Sequence, residues 1–192
     1  MVIKNIRKLY VSEITDETGG VPTYGPMKYI PGLREIGVVP NSEQGEFYAE
    51  GALSETDSAF SKVDVTIDVS DVAPEHYMLL TGASAAATGG FIDNAGDEAP
   101  YIALHYEKVL SGGVIEYATL FKGKLSKPED SAATSEGSPN YQPKSLSGTF
   151  MALANGDWRY VVRSNDDLFV DTAEDPFVWG DTKQFEIPAK AD

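Results

Sequence analysis

Apolar and polar residues alternate with a period of two along much of the chain, most sharply in Lys62-Val63-Asp64-Val65-Thr66-Ile67-Asp68-Val69. Successive side chains of a strand point to opposite faces. This run therefore puts Val63, Val65, Ile67 and Val69 on one face and Lys62, Asp64, Thr66 and Asp68 on the other. The first face belongs in a core, and the second meets water or a polar partner. Residues 101–107 and 114–121 are β-rich runs around Ser111-Gly112-Gly113, which predicts a hairpin. Residues 146–153 and 158–163 flank Asn155-Gly156, the dipeptide that best tolerates positive φ at both turn positions, and predict a second hairpin. In its later strand Arg159, Val161 and Arg163 form the wetter face.

One segment predicts a helix, residues 71–82. Pro74 suits the first helical position, Glu75 the first turn and Gly82 the position after the end. Two turns are too short to be held by propensity, so packing of Tyr77, Met78 and Leu80 is expected to anchor them. Three stretches lack a pattern. Residues 41–60 are polar and acid-rich, 127–144 are rich in Ser, Pro, Glu and Ala, and 165–192 mix acids with Phe169, Phe177, Trp179 and Phe185. The first two read as long loops. The third reads as an arm that docks its aromatics on its own domain or on a neighbour. The expected architecture is mainly β, a β-sandwich or barrel-like single domain over residues 1–192, with one short flanking helix and long loops.

Composition narrows the chemistry. The 192 residues include no cysteine, which excludes disulfides, thiol nucleophiles and thiolate metal sites. No stretch approaches the roughly 20 apolar residues of a membrane helix, and the first eight residues do not read as a signal peptide, so a soluble product of the cytoplasm with no membrane partner is expected. The net charge of −15 is unevenly spread: +1 over residues 1–40, −11 over 41–100 and −5 over 101–192. Such a surface repels phosphate backbones, which excludes sequence-reading nucleic-acid binders.

Candidate reactive groups are few. His76 and His105 lack a metal-binding spacing. The acidic turns at 93–98 and 165–167 offer oxygen ligands, but neither follows the calcium-loop pattern. No nucleophile elbow or phosphate-binding glycine loop is present. No enzyme activity, metal or cofactor is expected. The 10 Tyr, 8 Phe and 2 Trp leave a carbohydrate-binding β-sandwich as the competing reading, although core packing accounts for most aromatics.

Several short stretches, in order, resemble the major tail (tail tube) proteins of long-tailed bacteriophages and prophages with non-contractile tails. They are Thr15-Asp16-Glu17-Thr18 with Thr23-Tyr24-Gly25, Pro40-Asn41-Ser42, Tyr48-Ala49-Glu50-Gly51 with Glu55-Thr56, and Asp71-Val72-Ala73-Pro74-Glu75. Later come Asp97-Glu98-Ala99-Pro100-Tyr101-Ile102-Ala103-Leu104, residues 120–129 (LFKGKLSKPE) and Leu146-Ser147-Gly148-Thr149-Phe150. The stretch 82–90 departs from the family by an Ala/Gly-rich expansion.

The resemblance implies a virion protein of siphophage type, made in the host cytoplasm, whose hexameric rings stack into a hollow tube. Its partners would be further copies of itself, the tape-measure protein, and the tail terminator and distal tail proteins. DNA would be a transient cargo and not a bound ligand. The stretch 41–60 and the terminal arm would make ring and stacking contacts, with Phe47, Tyr48, Phe60, Phe177 and Trp179 as candidate contact residues. Asp64 and Asp68 would be candidate lumen-facing carboxylates past which phosphate slides.

Overall fold

A computed structural model of the chain describes residues 1–49, 52–130, 143–167, 169 and 185–188, with side chains omitted at 44–49 and 52–58. Strand makes up 54% of it and helix 8%, so the protein is mainly β. Nine strands form one antiparallel sheet in the order β2-β1-β8-β9-β10-β5-β4, with β3 added to β1 and β11 to β9. They are β1 (Ile3–Asp16), β2 (Thr23–Tyr24), β3 (Lys28–Ile30), β4 (Leu33–Ala49), β5 (Ala52–Val69), β8 (Ile102–Leu110), β9 (Ile115–Leu125), β10 (Lys144–Met151) and β11 (Arg159–Arg163). A small separate hairpin, β6 (Ser84–Ala85) with β7 (Phe91–Ile92), occupies the Ala/Gly-rich expansion.

The sheet curls, because one apolar cluster draws residues from β1, β3, β5, β8, β9 and β10. Leu9, Ile30, Val65, Leu104, Leu120 and Phe150 all belong to it and are at most 1% exposed. The β5 alternation is realised as expected: Val63, Val65, Ile67 and Val69 face this core while Lys62 and Thr66 are exposed. Gly123 of β9 has a steric task here, since a Cβ on it would lie 2.3 Å from the Phe150 ring. A second cluster lies on the opposite face of β1, β8 and β9. It joins Tyr10, Ala103 and Phe121 to Tyr24, Met27, Leu153 and Phe185.

The helix α1 spans Pro74–Thr81, with Pro74 in its first turn and Gly82 at φ 76° just past its end. Left-handed φ favours glycine there, and a Cβ would also strike the Glu98 carbonyl at 2.2 Å. Its anchors differ from the expected set. Leu80 is fully buried, with Val72 and Leu79 packed against the same core. Tyr77 turns outward and stacks on Phe91 of the small hairpin, ring centroids 4.1 Å apart.

Two further expectations are corrected, and one, that the arm docks on its own domain, is met for Phe185. Asn155-Gly156 makes its turn, with Leu153 N–H donating to the Asp157 carbonyl, but β10 and β11 do not pair with each other. Both add to the same edge of β9: β10 along Lys122–Leu125 and β11 along Glu116–Leu120. The turn is an excursion inside one long ladder. The edge of β9 can take both strands in line, whereas a hairpin would leave half of that edge unpaired.

The stretch 41–60, expected as a loop, is strand apart from residues 50 and 51, which lie outside the described residues. Pairing of β4 with β5 runs from Leu33↔Val69 to Ala49↔Ala52. Polar composition hid it, because the period-two signal rests on a regularly spaced apolar face and residues 41–60 carry none. The arm after residue 165 is in part a core element, because Phe185 is 1% exposed inside the second cluster. Of the loop expected at 127–144, Lys144 already belongs to β10, and 131–142 lie outside the described residues.

Candidate assembly surface

The second cluster covers only part of the sheet's outer face. Phe185 packs against Tyr24, His105 and Phe121, with centroid separations of 5.6, 5.0 and 6.4 Å. The Tyr24 hydroxyl donates to the Phe121 carbonyl at 3.0 Å, and burial raises its pKa well above the ordinary value. Behind Phe185, His105 is fully buried. Its Nδ1 lies 2.9 Å from the Thr119 hydroxyl and its Nε2 3.1 Å from that of Ser12. Burial lowers its pKa to about 3, so the ring is neutral near pH 7 and serves as a packed polar crosslink.

Along β10, β5 and β4 the same face is bare. Lys124, Thr149, Asp64 and Val39 lie side by side across four strands by register, and Ser147, Thr66 and Gly37 form the next row of three. Asp64 and Asp68 both sit on this face, as the alternation predicts. Asp64 is not a bare carboxylate: Lys62 Nζ is 3.0 Å from it and Asn41 Nδ2 donates at 2.7 Å. Hydrogen bonding from Lys62, supported by Asn41 and Thr149, holds its carboxyl below the usual range. The lysine beside it offsets much of the charge expected to repel phosphate.

Beyond β10 the pair β4–β5 leaves the sheet. The ladder of β10 on β5 spans Val63–Val69, so residues 41–60 are a two-stranded ribbon with no third strand among the described residues. At roughly 3.3 Å per residue it reaches about 30 Å from the body. A bulge sets its root, because Asn41 pairs with Lys62 but Ser42 with Phe60, skipping Ser61. The shift turns Phe60 toward the core side, where it stacks on Trp158 at 5.5 Å while Arg159 covers that ring. Phe60 is thus a hinge-side anchor and still 38% exposed. Phe47 lies on β4 near the ribbon's end and pairs with Glu55, and Tyr48 beside it pairs with Leu53; their side chains are outside the described set. Phe177 and Trp179 lie outside the described residues altogether.

The acidic turn at 93–98 is filled by a residue of the chain. Lys127 Nζ lies 2.7 Å from Asp93 and 3.0 Å from Asp97, which occupies the oxygens a cation would need. Among the described residues no group of three His, Asp or Glu is placed to hold a metal ion. No helix among them is long and apolar enough to cross a membrane. The half-exposed aromatics Tyr29, Phe60, Phe91 and Tyr101 each rest on another group of the chain: Tyr10, Trp158, Tyr77, and the ammonium groups of Lys122 and Lys124.

The signal for the covered half was faint in sequence, where Phe185 is one of four aromatics in an acid-rich tail and no local pattern marks it as buried. The one cue to the ribbon in the sequence is the dipeptide Glu50-Gly51, midway between two stretches of equal length. No protein-family model matches the chain, and no curated protein is significantly similar to it.

Proposed function

We propose that this chain is a structural, non-enzymatic subunit of a bacteriophage tail tube, a virion protein whose copies close into rings that stack around a lumen. The observation that carries the reading is the ribbon at residues 41–60. A two-stranded ribbon about 30 Å long is marginal in water, and its free edges invite aggregation unless a partner covers them. A homopolymer supplies that partner from every neighbouring copy. The order of short stretches resembling tail tube proteins supports the same reading, and several of them fall on the ribbon and on the bare strands around it. In this reading the hydroxyl-rich face bearing Asp64 and Asp68 is a candidate lumen wall for passing DNA, with the tape-measure, terminator and distal tail proteins as further partners.

Concentration of the purified protein tests the reading. Negative-stain electron microscopy is expected to find rings or hollow tubes of uniform diameter. A protein that stays monomeric at high concentration and is retained by immobilised glycans would overturn it in favour of a carbohydrate-binding module.

A further inference from the structure

The curled sheet leaves a seam where its two ends meet. β1 and β4 approach each other there, yet among the described residues no ladder joins them. On its seam side β1 pairs with β3 over Leu9–Val11 and with β2 from Ile14 onward, which leaves the edge of residues 3–8 without a ladder partner among the described residues. Across the seam β4 pairs, among the described residues, on one side alone, with β5. Two free edges bordering one cleft are rows of backbone donors and acceptors without ladder partners, the arrangement that takes an added strand.

The cleft has a volume of about 320 Å³, and its lining combines Ile3, Ile6 and Ile36 with three cations, Lys4, Arg34 and Lys108, against one acid, Glu35. Lys108 is committed to Glu116 at 3.1 Å, but Lys4 and Arg34 are exposed and make no ion pair among the described residues. Met1, Val2 and Ile3 extend the apolar rim, at 69%, 73% and 59% exposure. In a chain of net charge −15 this is a basic, apolar spot with open backbone.

The ribbon is its complement. Residues 41–60 carry Glu43, Glu46, Glu50, Glu55 and Asp57 with no Lys or Arg, together with Phe47, Tyr48 and Leu53. It cannot fold back into its own seam, because β4 is laddered to β5 continuously from the seam residues out to Ala49. We propose that the seam cleft receives the ribbon of a second copy of this chain, entering as an added strand with its acids against Lys4 and Arg34. The inference rests on the tube reading and names the receiving surface for the ribbon. The contact joins unlike surfaces, so repeating it generates a closed ring or an open filament.

Charge reversal tests it. The double variant K4E/R34E alters two exposed, unpaired side chains, so its melting temperature should stay near wild type while the concentration needed for polymerisation rises about tenfold. Adding E43K/E46K/E55K in the ribbon should restore assembly toward wild type. Zero-length carbodiimide crosslinking of assembled wild type should join Lys4 to ribbon carboxylates of another copy. Tubes that form equally well in K4E/R34E, or crosslinks that tie the ribbon to a different surface, would overturn the seam while leaving the tube reading intact. A wild-type protein that never polymerises would overturn both.

Discussion

β5 buries one face: Val63, Val65, Ile67 and Val69 are at most 1% exposed, and Lys62 and Thr66 between them are wet. β8, two strands away across β10 and β9, is buried on both faces. Ile102, Leu104 and Tyr106 enter the first cluster, and Ala103, His105 and Glu107 are covered on the other side. Burial pushes the Tyr106 phenol up to about 12, and Glu107 survives there on Arg7 at 2.7 Å and Lys8 at 3.1 Å. Lys8 reaches it from a bulge at φ 52°, a left-handed conformation that non-glycine residues rarely adopt. The same sheet thus has a half sealed within the chain and a half left open. The sealed half supplies a rigid base. The open half and its ribbon carry the longest edge without a ladder partner among the described residues, that of β4.

Breaking the seal should have the largest effect on stability. Phe185 comes from the far end of the chain yet is buried against Tyr24, His105 and Phe121. Phe185→Ala removes a buried ring and leaves a cavity, which costs about 3–5 kcal/mol. At about 2–4 °C per kcal/mol for a chain of this size, the melting temperature should fall by roughly 6–20 °C. Calorimetry finding a shift under about 2 °C would mean that the C-terminal segment is an ornament and that the outer face of β8 does not depend on it.

A smaller effect, specific to the sealed half, is a pH dependence. His105 is held neutral by burial with a folded pKa near 3, whereas in the unfolded chain it titrates near 6.5. Between those values the unfolded state binds a proton the folded state refuses, so stability falls as pH drops from 6.5 toward 3. His105→Gln retains a donor and an acceptor but does not titrate. The loss of unfolding free energy between pH 7 and pH 5 should therefore be about 2 kcal/mol smaller in the variant, since 1.5 pH units at 1.36 kcal/mol each separate 6.5 from 5. Equal losses in both proteins would show that water reaches the imidazole and that the face is not sealed.

The two halves also explain what could be read from the sequence. β5 declared itself because one buried face forces alternation, and the hairpin of β8 and β9 declared itself through Gly112 and Gly113, both at positive φ. Which strands would be covered twice was not legible. That depends on Tyr24, Met27, Leu153 and Phe185 arriving from distant parts of the chain, and nothing local in β8 records it. Asn155-Gly156 misled because a turn signal specifies a reversal but not which edge the following strand joins. The ribbon was missed for the opposite reason: its composition carries no period. The seam is a property of curvature, and Lys4 and Arg34 are 30 residues apart in the chain.

The smallest expected effect lies on the open half. Asp64 is half exposed beside Lys62, Asn41 and Thr149, and these neighbours favour its charged form. A depressed folded pKa stabilises the fold above the unfolded value, and that contribution is lost as pH falls through the folded one. Exposure to water and salt screens the pair, so Asp64→Asn should melt with the wild type at pH 7, and any residual difference should shrink on acidification. The direction matches that of His105→Gln, since both groups have depressed folded pKa values and the wild type alone loses stability on acidification, but the size is far smaller. A melting temperature for Asp64→Asn as depressed as that of Phe185→Ala would place Asp64 in a structural network and erase the contrast between the halves. Wild-type melting combined with altered polymerisation would sharpen it, because the open face would then matter to assembly and not to folding.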